Sequence, residues 1–265
     1  MTTNNLDLVK TLLVACDQSY STDPMALQGT ALQPLPDRNE RVVEYRDQQI
    51  YKYTPDFAWD SAYIITKPID LPAIGAKALV YLHPTTRNVI VAFAGTDGTS
   101  LQDWVANTQS LGWSQWNLLR SRVFDEIDRL STLREVVEAG GLGTINFTGQ
   151  SLGGALAQYA AYEYVERKSA RLPNDVPNPF DKSRVTLTTF NGLGAVWGLQ
   201  ANGGYDASVL AGIGFSAHYV VANDLVARLG GGHIGADSRV GLSRLDLQRQ
   251  RAGYGCGRGE PDGYC

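Results

Sequence analysis

The chain has 265 residues, 43% of them hydrophobic, with 23 basic against 27 acidic residues and a formal net charge of -4. That length and apolar content suit one domain with a sizeable core and leave no room for a second. The charges form no long runs, which excludes a phosphate-gripping surface and so nucleic acid as a partner. The longest apolar runs are strand-length, far short of the roughly 18 to 20 residues of a transmembrane segment, so a soluble protein is expected.

Taken in chain order, Leu6, Val9, Leu12, Leu13 and Cys16 recur at three- and four-residue spacing and predict an amphipathic first helix. Leu13-Val14-Ala15-Cys16 satisfies a bacterial lipobox, but no positive region precedes it, and Asp7 and Lys10 interrupt the apolar stretch. No signal peptide is read, so the expected location is cytoplasmic, or outside the cell by a signal-independent route. Residues 21 to 40, rich in Pro, Asp, Asn and Gln, read as surface loop. Val42 to Tyr53 alternates with β-formers, and Ser61 to Ile65, Ala78 to Leu82 and Asn88 to Phe93 read as strands of a growing sheet. His83 to Asn88 lies between two of them and predicts a hairpin turn, with His83 at its surface.

The buried strand Val89 to Ala94 runs into Gly95-Thr96-Asp97-Gly98, a turn. Residues 97 to 118 then hold Trp104, Trp113 and Trp116 in a segment of mixed polarity, which is either a lid over an apolar site or a packed loop. From Trp116, the positions Leu119, Val123, Ile127, Leu130, Leu133 and Val137 mark one face of a single long helix stopped by Gly140-Gly141. Its Arg, Asp and Glu residues are expected to be the wet face.

Thr144 to Ala157 is the most informative stretch: a β-rich lead-in, Gly149-Gln150-Ser151-Leu152-Gly153, a second glycine at 154 and an alanine-rich continuation. This is the sequence form of a strand, a nucleophile elbow and a helix. A serine at so tight a turn is held clear of its neighbours, and the small residues let backbone segments approach where a Cβ would clash. The turn also sets Ser151 at a helix N-terminus, where the free N–H of Leu152 favours a developing anion. The alternative is a Gly-rich turn of some other doubly wound fold. With the elbow in place, Thr96 at the earlier strand end becomes a candidate for a second oxyanion donor through its N–H, or else part of a plain strand-ending turn.

Leu152 to Lys168 reads as helix, Pro173 to Lys182 as loop, and Arg184 to Phe190 as a buried strand. Residues 192 to 216 are Gly-rich and yield no firm element. Ala217 to Val221 is the last clear strand, leading to Asn223-Asp224 and then to His233. Active groups gather at the carboxyl ends of strands in open α/β sheets, and Asp224 is so placed. The chain has three histidines: His83 in a turn, His218 on a strand as a core or edge residue, and His233. No repeat is visible. The string Gly231 to Asp237 misses a calcium-binding nonapeptide by one residue and has no second copy, and no metal or cofactor is expected. Cys16, Cys256 and Cys265 are odd in number and unpaired in spacing, which argues against a zinc ribbon or a disulfide framework; a Cys256–Cys265 bridge stays open. Residues 238 to 265 form a tail with no assigned role.

Val91-Ala92-Phe93-Ala94-Gly95-Thr96, Asp103-Trp104, Thr148 to Ala157, Asn223-Asp224-Leu225-Val226-Ala227-Arg228-Leu229 and His233-Ile234-Gly235 together resemble the class 3 lipases, in that family's order. The first helix with Cys16 and Tyr20 is also similar. The resemblance implies an α/β-hydrolase fold with a mostly parallel central sheet flanked by helices. It further implies ester hydrolysis through a Ser-Asp-His triad, often on lipids under a mobile lid. Carried over by position, Ser151 is the nucleophile, Asp224 the acid and His233 the base. Thr96 and Leu152 become the oxyanion donors, and Trp104 and Gln150 become substrate-side residues. The chemistry agrees, since a serine hydroxyl needs an imidazole to take its proton and the imidazole needs a carboxylate to fix its tautomer.

Four departures stand out. Ala94 replaces the family's usual Arg, and Gln150 its frequent His. A Val-His-x-Gly-Phe segment before the elbow is missing, and Asp224 and His233 are close in sequence. The expected function is therefore a serine carboxylic-ester hydrolase acting on a small or lipid ester, with transient contact to a lipid interface. Lipase, phospholipase and esterase remain open. The alternatives are a non-catalytic binding protein of the same fold, or an acyltransferase or peptidase using the same triad.

Overall fold

The computed structural model describes residues 3–35, 44–45, 48–49, 59–95, 112–170, 180–221, 229–235 and 239–242. Helix α1 spans Thr3–Gln18, and a short antiparallel ribbon pairs β1 (Glu44–Tyr45) with β2 (Gln48–Gln49). Then come β3 (Ile64–Leu71), β4 (Ala76–Leu82), β5 (Val89–Phe93), α2 (Trp113–Ser131) and α3 (Arg134–Glu138). The second half holds β6 (Ile145–Gln150), α4 (Leu152–Ser169), β7 (Val185–Phe190), α5 (Val196–Asn202), β8 (Phe215–Val221) and β9 (Arg239–Leu242).

Strands β3 to β9 form one seven-stranded sheet in sequence order. The first three pair antiparallel through tight connections, and β5 to β9 run parallel, joined by longer crossovers. Both faces are covered, so the strand residues alternate between two cores. Val89, Val91 and Phe93 face the side of α2 and α4 with Phe147, Trp116 and Leu156, while Ile90 and Ala92 face α1 with Leu12, Ala15 and Cys16. A strand buried on both faces has no polar alternation, which is why β5 reads as an unbroken apolar run.

Four expectations are revised. The predicted helix from Trp116 to Val137 is two helices: Thr132 caps α2 through its N–H to the carbonyls of Arg129 and Leu130, and Leu133 turns to an extended backbone before α3. The segment 97–118 is not a lid throughout, because α2 begins at Trp113. Trp116 is fully buried against Phe93 and Phe124, so two of the three tryptophans belong to core packing. Third, the strand placed at Ser61 to Ile65 begins at Ile64 and runs to Leu71, where it pairs with β4. Within 192–216 the structure adds α5, and Glu126 on the expected wet face is buried beside Arg129.

Candidate active site

Strand β6 enters the elbow between β5 and β7, and α4 leaves it at Leu152. Ser151 sits between them with φ 54° and ψ -124°, a backbone conformation that non-glycine residues seldom hold unless the surroundings impose it. Three backbone bonds impose it here. The Ser151 N–H donates to Phe190 at 3.3 Å, and its carbonyl accepts from Gly154 and Leu193, both at 3.0 Å. Close approach does the rest: a Cβ on Gly149 would overlap the Gly153 carbonyl, and one on Gly153 would overlap the Phe93 carbonyl. Ser151 is partly exposed while the residues that follow it in α4 are buried. The N–H of Leu152 belongs to the first turn of α4, where no carbonyl of the helix can accept it.

The end of β5 borders this turn. A Cβ on Gly95 would lie 2.8 Å from the Gln150 carbonyl and 3.1 Å from the Ser151 Cβ. From the other face of the sheet, the turn after α1 brings the Tyr20 hydroxyl to the same Gln150 carbonyl at 3.4 Å. The Cys16 thiol meets the Thr148 hydroxyl at 3.2 Å. Burial pushes the Cys16 thiol up to about 12, so it is an inert packing group and not a nucleophile.

Behind the elbow, the segment after β7 ties Ser151 to the loop that carries His233. Leu193 donates to the Ser151 carbonyl, Gly194 to Leu229 at 2.8 Å, Ala195 to Gly232 at 3.0 Å and Trp197 to Gly230 at 3.0 Å. Gly194 and Gly230 allow this backbone-on-backbone packing, since a Cβ on either would strike the other strand of the contact. Two buried side chains then hold Ile234, the neighbour of His233. Its N–H donates to Gln158 Oε1 at 3.0 Å, and its carbonyl accepts from His218 Nε2 at 2.9 Å. Gln158, on α4, also donates through Nε2 to the carbonyls of Gly154 at 3.0 Å and Leu193 at 2.7 Å. His218 meets the Thr189 hydroxyl through Nδ1 at 2.8 Å, and its ring stacks on that of His233 with centroids 4.3 Å apart and planes 20° from parallel.

Of the sequence-predicted residues, Ser151, Leu152, Gln150 and His233 are described. Thr96, Trp104 and Asp224 lie outside the described residues, as do Cys256 and Cys265. His218 is a core residue, as expected. His83 is not the surface residue expected: it is buried, its Nδ1 accepting the N–H groups of Thr85 and Thr86 at 3.1 Å each and its Nε2 lying 3.2 Å from Asp60. It shapes the β4–β5 hairpin and stands apart from the elbow. Gln158 and Thr189 were missed, for a glutamine in an alanine-rich helix and a threonine in a strand carry no local signal of contacts made far along the chain. Among the described residues no three His, Cys, Asp or Glu side chains gather as a metal site, and no helix is long and apolar enough to cross a membrane.

The family described as lipase (class 3) matches residues 90–231. A search of curated proteins returned no match. Among solved structures, the chain is similar to a mutant form of MDLA from Penicillium cyclopium, with 18% identity and a TM-score of 0.55 over 85% of this chain and 74% of that one. It is similar to a mono- and diacylglycerol lipase from Aspergillus oryzae, with 17% identity and a TM-score of 0.55 over 83% and 72% of the two chains. A lipase from Rhizopus microsporus var. chinensis aligns at 14% identity and a TM-score of 0.53 over 85% and 69%. These likenesses show the shared α/β-hydrolase fold.

Proposed function

The chain belongs to the class 3 lipase family, a lipase-type carboxylic ester hydrolase, and from that premise we propose that Ser151, His233 and Asp224 are its triad, with Thr96 and Leu152 as oxyanion donors. The observation that carries this reading is the held conformation of Ser151 at the β6–α4 junction. Its carbonyl is bonded to the same segment that supports the His233 loop.

In this reading the Ser151 Oγ attacks the acyl carbon while His233 takes the hydroxyl proton. The carbonyl π electrons move onto oxygen, where the N–H groups of Leu152 and Thr96 receive the charge. Collapse expels the alcohol, which leaves with the proton held by His233, and an acyl-Ser151 ester remains. Water then attacks that ester, giving its proton to His233, and the acid departs as Ser151 regains its hydrogen. Asp224 holds the His233 tautomer and stabilises the imidazolium. In the same reading Trp104 and Gln150 are the substrate-side residues. The substrate class is a lipid ester, taken up through transient contact with a lipid interface.

The test is hydrolysis of p-nitrophenyl esters from acetate to palmitate, with and without a dispersed lipid surface, by wild type and Ser151→Ala. Loss of turnover in the variant and covalent labelling of wild type by a fluorophosphonate support the reading. Equal rates, or an unlabelled Ser151, would leave a non-catalytic binding protein of this fold.

A further inference from the structure

His218 lies in the middle of β8, opposite Thr189 of β7, and is almost fully buried. A neutral imidazole in such a place needs one donor and one acceptor for its two nitrogens. The Ile234 carbonyl can only accept, which assigns the His218 proton to Nε2. Nδ1 is then left as the acceptor for the Thr189 hydroxyl, at 2.8 Å. Both bonds are therefore satisfied by a single tautomer, and they fix the ring about its χ2 axis. The face of that fixed ring carries His233, centroid to centroid at 4.3 Å. Its edge grips the residue after His233 through the main chain.

From these contacts the geometry points to His218 as a positioning residue for the base: it sets the plane of His233 by stacking and the position of the His233 backbone through Ile234. This goes beyond the triad and rests on His233 being the base proposed above. The chemical reason is that proton transfer between Ser151 and His233 requires the imidazole plane to be aimed at the hydroxyl. Gly231, Gly232 and Gly235 flank His233 with φ of 75°, 115° and 97°, a backbone with little stiffness of its own. Gln158 and His218 together take the N–H and the C=O of Ile234, so the loop has one seat.

The experiment compares His218→Phe, His218→Asn and His218→Gln, each alone and in a His233→Ala background, by p-nitrophenyl butyrate hydrolysis with folding followed by circular dichroism. Phenylalanine keeps a stacking ring without either bond, and asparagine reaches Thr189 but falls short of Ile234. Glutamine can donate to the Ile234 carbonyl. The expected result is a kcat lowered about 100-fold by Asn and Phe with KM within about twofold, as a misaimed catalytic group costs roughly that much, while Gln recovers at least about tenfold of the loss. In the His233→Ala background the same substitutions change the residual rate by less than about twofold, because the group they position is gone. Equal losses in Asn and Gln, or full-sized losses in the His233→Ala background, overturn the inference and leave His218 a general core residue. If Phe does not fold, the Asn and Gln pair carries the same decision. A His233→Ala variant as fast as wild type overturns the assignment of the base as well, and is read separately from the His218 series.

Discussion

Ile234 donates its N–H to the side-chain oxygen of Gln158 at 3.0 Å, which fastens the residue after His233 to the helix that begins beside Ser151. Gln158 Nε2 donates in turn to the carbonyl of Leu193, whose N–H holds the Ser151 carbonyl. One buried side chain thus joins the elbow, the segment after β7 and the His233 loop. Gln158→Leu leaves the Ile234 N–H and the Leu193 carbonyl without that partner, and each orphaned buried group costs about 1 to 3 kcal/mol. The expected outcome is a fall of about 2 to 5 kcal/mol in unfolding free energy by urea titration, with kcat lowered even where the variant is fully folded. A variant within about 0.5 kcal/mol of wild type would show that the three segments are held together by other means.

The elbow tolerates no added atom on its inner side. Gly149→Ala drives a methyl into the Gly153 carbonyl, which is backbone and cannot step aside, so the strand and helix must part. We expect loss of ester hydrolysis and destabilisation of more than about 3 kcal/mol. Gly203→Ala is the control: nothing lies within 4 Å of the added carbon, and its φ of 169° lies outside the left-handed region. It should unfold within about 1 kcal/mol of wild type and keep its activity. If both alanines behave alike under urea titration, close approach at residue 149 is not what shapes the turn.

The sequence makes the elbow legible because its constraint is local. Glycines flank Ser151 at fixed offsets, and strand and helix formers lie on either side. The buried strands β5 and β7 are legible for a similar reason, as unbroken apolar or β-branched runs. The break between α2 and α3 is not, because Leu133 and Val137 continue the helical spacing; Val137 is nevertheless 59% exposed, so its place in the pattern is coincidence. Trp116 shows the opposite failure. Its mixed-polarity neighbours favoured a surface cover, whereas its spacing to Leu119 and Val123 marked the buried stripe it occupies. Contacts such as His218 with Ile234 or Gln158 with Ile234 pair residues 16 and 76 positions apart, and no local pattern encodes them.

His83 offers a separation of stability from chemistry. Its ring accepts two N–H groups of its own turn, faces Asp60 and sits edge-on to Tyr63 with centroids 5.1 Å apart. His83→Ala strips these contacts and leaves the N–H groups of Thr85 and Thr86 without their acceptor, a cost of about 1 to 3 kcal/mol once partial access to water is allowed for. The thermal midpoint should drop by several degrees, while kcat and KM for p-nitrophenyl butyrate stay within about twofold of wild type. A large loss of kcat in this variant would bring the hairpin into the site and count against His233 as the base.

Alkaline pH tests the buried acids beneath α1. Burial pushes Cys16 from 9.0 up to about 12 and Tyr63 from 10.0 up to about 12, and it raises Tyr81 well above its ordinary value. In the unfolded chain these groups release protons near their ordinary values, whereas the folded chain keeps them. Between roughly pH 9 and 12 the unfolded state therefore binds fewer protons, and stability falls as pH rises. Urea midpoints should be level up to about pH 8 and decline steadily above about pH 9. Cys16→Val removes the thiol from this linkage, so its midpoint should decline less steeply over the same range. The Cys16 peptide should also escape iodoacetamide in the folded protein at about pH 8 and react once urea is added, since the thiolate is the reactive form. Midpoints that stay level to about pH 10.5, or prompt alkylation of Cys16 without denaturant, would mean that the space between α1 and the sheet admits water.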